Sequence, residues 1–233
     1  MRITQYGYYN MKSNEKNKKD PKKILLTGGG TGGSVSPLLA LAKELPRSDN
    51  GYSFLWVGTK NGVEKNMVKR EGMDFYSIPA GKLRRYFDWK NFIDPFKILF
   101  GFLISFFLLI KWRPALIMTA GSFVSVPVVW AGWLWRVPII VHQQDVRPGL
   151  ANKLMAPFAT RVTVTFQQSL EDYGKKAIWT GNPVSATTSG KEPQLPDLEQ
   201  GIPVVLVVGG GTGSAALNEL VRKAKGDILK DNQ

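Results

Sequence analysis

Glycines at Gly28, Gly29, Gly30, Gly32 and Gly33 fall in the stretch TGGGTGGSVSPLLA (Thr27–Ala40), directly after the apolar run KKILL (Lys22–Leu26). This order reads as a strand, a tight turn and the start of a helix. Glycine lets the backbone turn sharply and lets a ligand approach with no Cβ in the way. A helix that starts near Ser34 points its free N–H groups back into the turn, an arrangement suited to phosphate or pyrophosphate. The contacts are expected from Gly30, Thr31, Gly32, Gly33 and Ser34. The alternative is a βα turn that binds nothing. A second copy, PVVLVVGGGTGSAALNEL (Pro203–Leu220), carries Gly211 in its loop. Two strand–glycine–helix units in one chain point to two nucleotide-type domains facing each other.

The elements that must position these loops follow from periodicity. Strands are expected at Ile24–Thr27, Tyr52–Val57, Asp74–Ile78, Ala115–Met118, Pro138–Val141, Arg161–Phe166 and Ala177–Thr180. Helices are expected at Ser34–Leu45, Gly62–Glu71, Phe92–Trp112, Ser122–Trp135 and Gly149–Ala156. Strands alternating with helical patterns give parallel βαβ units with right-handed crossovers. The fold class is therefore α/β, a Rossmann-like parallel sheet with helices on both faces, plus one βα unit of a second such domain. The organisation expected is a disordered basic arm at 1–21, a first domain at 22–184, a linker at 185–201 rich in Pro, Ser and Thr, and a fragment at 202–233. One βα unit cannot cover both faces of a sheet. The reading is that this second domain is truncated or is completed by a partner.

The chain has 233 residues, 43% of them hydrophobic, enough for a real core. It has no cysteine and one histidine, His142. Disulfides and thiolate metal sites are excluded, and a histidine-built metal site has too few ligands. Neither a metal nor a cofactor is expected. The formal charge of +13 suits nucleic acid, anionic lipid or a phosphorylated ligand. No nucleic-acid motif is present, and the basic residues flank apolar runs, so a nucleic-acid partner is not expected. Ile98–Ile110 is ILFGFLISFFLLI, with Lys82, Arg84, Arg85 and Lys90 before it and Lys111 and Arg113 after it. Basic and aromatic residues beside an apolar helix describe an interfacial membrane site, with Phe102 and Phe106 among its apolar contacts. A buried core helix and a spanning helix are the alternatives.

Several segments in order resemble the MurG-like UDP-N-acetylglucosamine transferases of glycosyltransferase family 28. The glycine loop with Pro37, GSFVSVP (Gly121–Pro127), HQQDVRPGLANKLMAPFATRV (His142–Val162), TGNPV (Thr180–Val184) and VVGGGTGSAALNE (Val207–Glu219) carry the likeness. It spans Lys22 to about Leu220. The resemblance implies a GT-B fold, of which this chain holds the N-terminal, acceptor-binding half. It implies inverting transfer of GlcNAc from UDP-GlcNAc to a lipid-linked pyrophosphoryl muramyl-pentapeptide in peptidoglycan synthesis, without a metal. It also implies peripheral attachment to an anionic membrane, at the cytoplasmic face of the plasma membrane. A membrane-docked acceptor-binding subunit, working with a separate donor-domain protein and not catalytic alone, is the second reading.

The sequence departs from the family pattern at several site positions. Ser34 stands for a histidine, Gln143 for a glutamate and Asp145 for an asparagine. Ser185 stands for an arginine that would bind diphosphate, and Gly211 for a serine. Asp145 is either a cap for the helix after Gly149 or a general base for the acceptor hydroxyl. His142 is either a packed histidine at a strand end or a group reaching the cleft where open α/β sheets bind ligands.

Overall fold

A computed structural model describes residues 21–46, 51–81, 90–185, 206–209 and 213–230, with the side chains of 90–93 and 227–230 excepted. The basic arm up to residue 20, Lys82, Arg84, Arg85, Gly211 and all but the first residue of the expected linker lie outside the described residues. The chain divides into two compact units, Met1–Ala186 and Thr187–Gln233.

The first unit is built on seven strands: β1 (Lys22–Thr27), β2 (Tyr52–Gly58), β3 (Asp74–Ser77), β4 (Leu116–Thr119), β5 (Ile139–Gln143), β6 (Arg161–Val164) and β7 (Ala177–Trp179). They form one sheet in the order β3-β2-β1-β4-β5-β6-β7. Every pairing is parallel. The connecting helices are α1 (Ser36–Glu44), α2 (Val63–Arg70), α3 (Lys90–Trp112), α4 (Ser125–Leu134) and α5 (Leu150–Met155). Each strand and helix expected from periodicity is present, with shifted ends.

Period-two alternation divides the core between the two faces of the sheet. Ile24 and Leu26 pack with Phe54 and Trp56 against Leu38 and Leu39 of α1 and Val68 of α2. Leu25 and Val57 pack on the other face with Ile117, Val141 and Val164 against Leu109 of α3, Val128 of α4 and Met155 of α5. A strand covered on both faces reads as a nearly continuous apolar run, as Ile24–Leu26 does.

The topology fixes where a ligand binds. The chain leaves β1 toward β2 and β3, then crosses back to place β4 on the other side of β1. Ligands of such sheets bind at this switch point, beyond the carboxyl ends of the strands. The glycine loop leaves β1 there, and Ala120–Val124 leaves β4 beside it.

Two helices start later than periodicity predicts. The Gly32 carbonyl accepts from the Val35 and Ser36 N–H groups at 3.1 and 2.9 Å, so a separate turn precedes α1. Gly121 and Ser122 have φ of 98° and 93°, which keeps α4 from starting before them.

The second unit contains α6 (Ala215–Lys230) among its described residues. Ser214 caps it: its Oγ accepts from the Leu217 N–H at 3.2 Å. The strand expected here lies partly outside the described residues. Leu206–Gly209 pairs with no other strand in the described residues.

Candidate functional site

The carboxyl ends of β1, β4 and β5 enclose a cleft of about 510 Å³. Its walls are the glycine loop, the Ala120–Val124 segment and the loop that leads to α5. Of the residues predicted for the site, Gly30, Thr31, Gly33, Ser34 and Asp145 line it. Gly32, His142 and Ser185 are not part of its wall.

The glycine loop is held from behind by a residue that the motif does not include. Glu64, in the first turn of α2, is fully buried. Its carboxylate accepts from the Gly30 N–H at 3.1 Å, the Thr59 N–H at 2.7 Å and the Thr59 hydroxyl. A Cβ at Gly29 or Gly62 would overlap that carboxylate. The Ser34 hydroxyl closes the loop from inside, donating to the Gly29 carbonyl at 3.0 Å with the Thr31 carbonyl at 3.2 Å as the alternative.

This geometry revises one expectation. The Gly30 amide faces Glu64, so Gly30 does not offer its N–H to the cleft. The loop's left-handed position is Gly30, with φ of 85°, and not Gly32 or Gly33. The amides of Thr31, Gly32, Gly33 and Ser34 have no partner among the described residues. Four successive open N–H groups just before a helix are an arrangement suited to an anion. Glu64 could have been noticed as an acid six residues after the end of β2, but no spacing rule marks it.

The third wall hangs on Gln143, which is fully buried. Its Nε2 donates to the Asp145 carbonyl at 2.7 Å and the Arg147 carbonyl at 3.1 Å. Its Oε1 accepts from the Tyr173 hydroxyl at 2.9 Å and from Asn152 Nδ2. A carboxylate could not donate to those two carbonyls, so glutamine suits this loop. Burial, and then Asp172, push the Tyr173 hydroxyl up to about 12. Asp145 is exposed on the wall, and its carboxylate makes no hydrogen bond among the described residues. The capping alternative for Asp145 is overturned. The N-cap of α5 is Gly149, with no side-chain cap bond.

His142 is 4% exposed. Its Nδ1 lies 2.9 Å from Thr163 Oγ1 and its Nε2 3.1 Å from Asn182 Oδ1. It is the packed histidine, tying β5 to β6 and to the chain beyond β7. Burial lowers its pKa from the ordinary 6.5, against the raising effect of its two hydrogen-bond partners. The unfolded chain therefore takes up a proton first as pH falls. Stability is complete above about pH 6.5 and declines below it. A thermal melt series is expected to show this decline, and His142→Gln is expected to flatten it.

The helix α3 is long and apolar enough to cross a membrane by length and composition. Its inner face is core: Gly101, Ser105 and Leu109 are buried, and Phe102 and Phe106 pack against the same cluster. The Phe106 ring lies 5.0 Å from Trp135. Phe102 and Phe106, expected among the membrane contacts, are half-buried at the edge of this cluster. The exposed stripe is Phe96, Leu99, Phe100, Leu103, Phe107 and Ile110, at helical spacing. Exposed Lys111 and Arg113 sit at its end, and Trp133–Trp135 of the α4 terminus are exposed as well.

Comparison with known proteins agrees with this fold. The glycosyltransferase family 28 N-terminal domain matches residues 24–164. A Clostridium botulinum protein named UDP-N-acetylglucosamine–N-acetylmuramyl-(pentapeptide) pyrophosphoryl-undecaprenol N-acetylglucosamine transferase is 43% identical over 213 residues, 89% of this chain and 60% of that protein. A Clostridium tetani protein of the same name is 42% identical over 90% of this chain and 59% of its own length. The chain thus spans about 60% of the length of the relatives it matches. Among solved structures, MurG of Acinetobacter baumannii superposes with a TM-score of 0.58 at 24% identity, covering 70% of this chain and 45% of that one. A UDP-N-acetylglucosamine 2-epimerase from Listeria monocytogenes, described as putative, superposes at 0.53 with 14% identity, covering 70% and 46%. At these identities the likeness is one of fold.

Proposed function

Because the chain belongs to glycosyltransferase family 28, we propose that it carries the acceptor-binding half of an enzyme that transfers GlcNAc from UDP-GlcNAc to a lipid-linked muramyl-pentapeptide. The observation that carries this reading is the run of open amides at Thr31–Ser34, of which Thr31, Gly33 and Ser34 line the cleft. They suit the acceptor's pyrophosphate, which its lipid tail ties to a membrane. The donor's nucleotide is assigned to the second unit, with Gly211 in its loop.

In the reaction, the acceptor hydroxyl oxygen bonds to the anomeric carbon of GlcNAc with inversion. The bond from that carbon to the UDP oxygen breaks, and UDP leaves with the electron pair. Asp145 is the candidate to receive the hydroxyl proton. His142 is a poor candidate, since both its ring nitrogens are engaged. Ser34 has no group that deprotonates near neutral pH.

The apolar stripe of α3 supports peripheral attachment at the cytoplasmic face of the plasma membrane. A helix with one face in the core lies along a bilayer rather than through it. Exposed Lys111 and Arg113 each add on the order of 1 kcal/mol near an anionic surface.

Calorimetric titration of the 233-residue chain with farnesyl pyrophosphate tests the acceptor site. Binding is expected, and its absence at millimolar ligand would overturn the reading. Catalysis is tested in a chimera whose remaining length comes from the Clostridium botulinum relative. There Asp145→Asn is expected to lower kcat about a hundredfold, the lower end of what a general base contributes, with little change in acceptor affinity. An unchanged kcat would remove Asp145 from the mechanism.

A further inference from the structure

Beyond the cleft, α3 and α4 line a groove of about 400 Å³. Among the described residues its walls are Pro95, Ile98, Leu99, Phe102 and Trp130. The four from α3 recur at the spacing of one helix face. Trp130 comes from α4, and its indole N–H is engaged by the Leu154 carbonyl at 3.1 Å. These side chains therefore offer a ligand carbon and no free hydrogen-bonding group.

The groove adjoins the cleft through two walls. The segment Pro79–Gly81 presses on α3 next to Pro95 and Phe102. A Cβ at Gly81 would meet the Asp94 carbonyl oxygen at 2.5 Å, and one at Gly101 would meet the Pro79 carbonyl oxygen at 2.6 Å. Ala80, in the middle of that segment, lines the cleft. The second wall is the start of α4. Phe123 lines the cleft, Pro127 lies against the Gly101 position, and Trp130, one turn on, lines the groove. At its other side the groove opens onto the exposed stripe of α3, because Leu99 belongs to both.

We propose that this groove takes the first carbons of the lipid chain attached to the acceptor's pyrophosphate, on their way from the cleft to the bilayer. A chain whose pyrophosphate sits in the cleft and whose end sits in the membrane has to cross the surface between them. In water that stretch of hydrocarbon is disfavoured, and the groove gives it apolar cover on the way to the stripe. The proposal rests on the cleft being the acceptor site.

The test titrates the 233-residue chain, with no vesicles present, against inorganic pyrophosphate and against dimethylallyl, geranyl and farnesyl pyrophosphate. These ligands share the anion and lengthen the chain by one isoprene unit at a time. Wild-type affinity is expected to rise about tenfold with each added unit, since burying two of its CH₂ groups is worth about that factor. Leu99→Gln puts a polar amide in the groove without adding charge. It is expected to lower affinity for farnesyl pyrophosphate about tenfold and to leave inorganic pyrophosphate unchanged. Its melting temperature is expected to hold, because Leu99 is 53% exposed. Phe100→Asp with Phe107→Asp alters the stripe outside the groove, and is expected to keep the rise with chain length.

If the wild-type chain binds all of these ligands equally, this proposal fails alone: the anion site stands, and the groove meets only the bilayer's own lipid. A rise with chain length that survives Leu99→Gln, or that the Phe100 and Phe107 pair abolishes, places the chain on another surface and also overturns the proposal. If neither inorganic pyrophosphate nor any of its isoprenyl esters binds, the acceptor-site reading fails and takes this one with it.

Discussion

Binding to anionic vesicles is expected to fall about a thousandfold when Phe100 and Phe107 are both changed to aspartate, with the melting temperature unchanged. Both rings are exposed, at 59% and 65%. Seating one such side chain in an apolar phase is worth about 1.5–3 kcal/mol, so losing two gives roughly 3–6 kcal/mol. Each 1.4 kcal/mol is about tenfold in affinity. Phe102→Asp with Phe106→Asp is expected to behave differently. Those rings are half-buried against the cluster that holds Leu109 and Val128, and a carboxylate there would lose that packing and be partly desolvated. That pair is expected to unfold the first unit. Sedimentation with vesicles and thermal melts of both pairs separate membrane contact from core. If Phe100→Asp with Phe107→Asp leaves sedimentation intact, the α3 stripe is not the membrane contact.

Those two pairs show where sequence reasoning stops. Composition marks Ile98–Ile110 as apolar all round, and periodicity makes it a helix. Neither says which face α4 covers. Phe102 and Phe106 look the same as Phe100 and Phe107 until Gly101, Ser105 and Leu109 are seen in the core. The sheet was easier to read. Each strand of a parallel sheet is a short apolar run bounded by turn residues, and each helix between has its own period. The glycine loop was legible as a phosphate turn because its chemistry is local. Glu64 was not, because it reaches the loop from α2 across the fold, 34 residues away from Gly30.

Gly33→Val is expected to reduce affinity for farnesyl pyrophosphate about a thousandfold while leaving the fold intact. A Cβ at Gly33 meets nothing closer than Thr31 Oγ1 at 3.8 Å, and the backbone there is not in the left-handed region. The folded chain therefore accepts valine at this position. The ligand does not, because the added methyl groups stand over the open amides of Thr31–Ser34. Hydrogen bonds from an N–H to a charged oxygen are worth about 1.5–3 kcal/mol each, so two blocked contacts account for the loss. Ser34→Ala keeps its N–H and gives up only the bond that closes the loop onto Gly29. Its affinity is expected to change by a few-fold. Glu64→Leu attacks the same loop from the other side. It strips the acceptor from the Gly30 N–H and from both Thr59 donors, and at about 1–3 kcal/mol for each buried group left unpaired it is expected to lower the melting temperature clearly. Titration and melting of the three variants together distinguish the explanations. Lost affinity without lost stability in Gly33→Val locates the phosphate on the backbone of the loop. If Ser34→Ala loses the ligand and Gly33→Val keeps it, the hydroxyl is the contact, and the open amides serve no ligand.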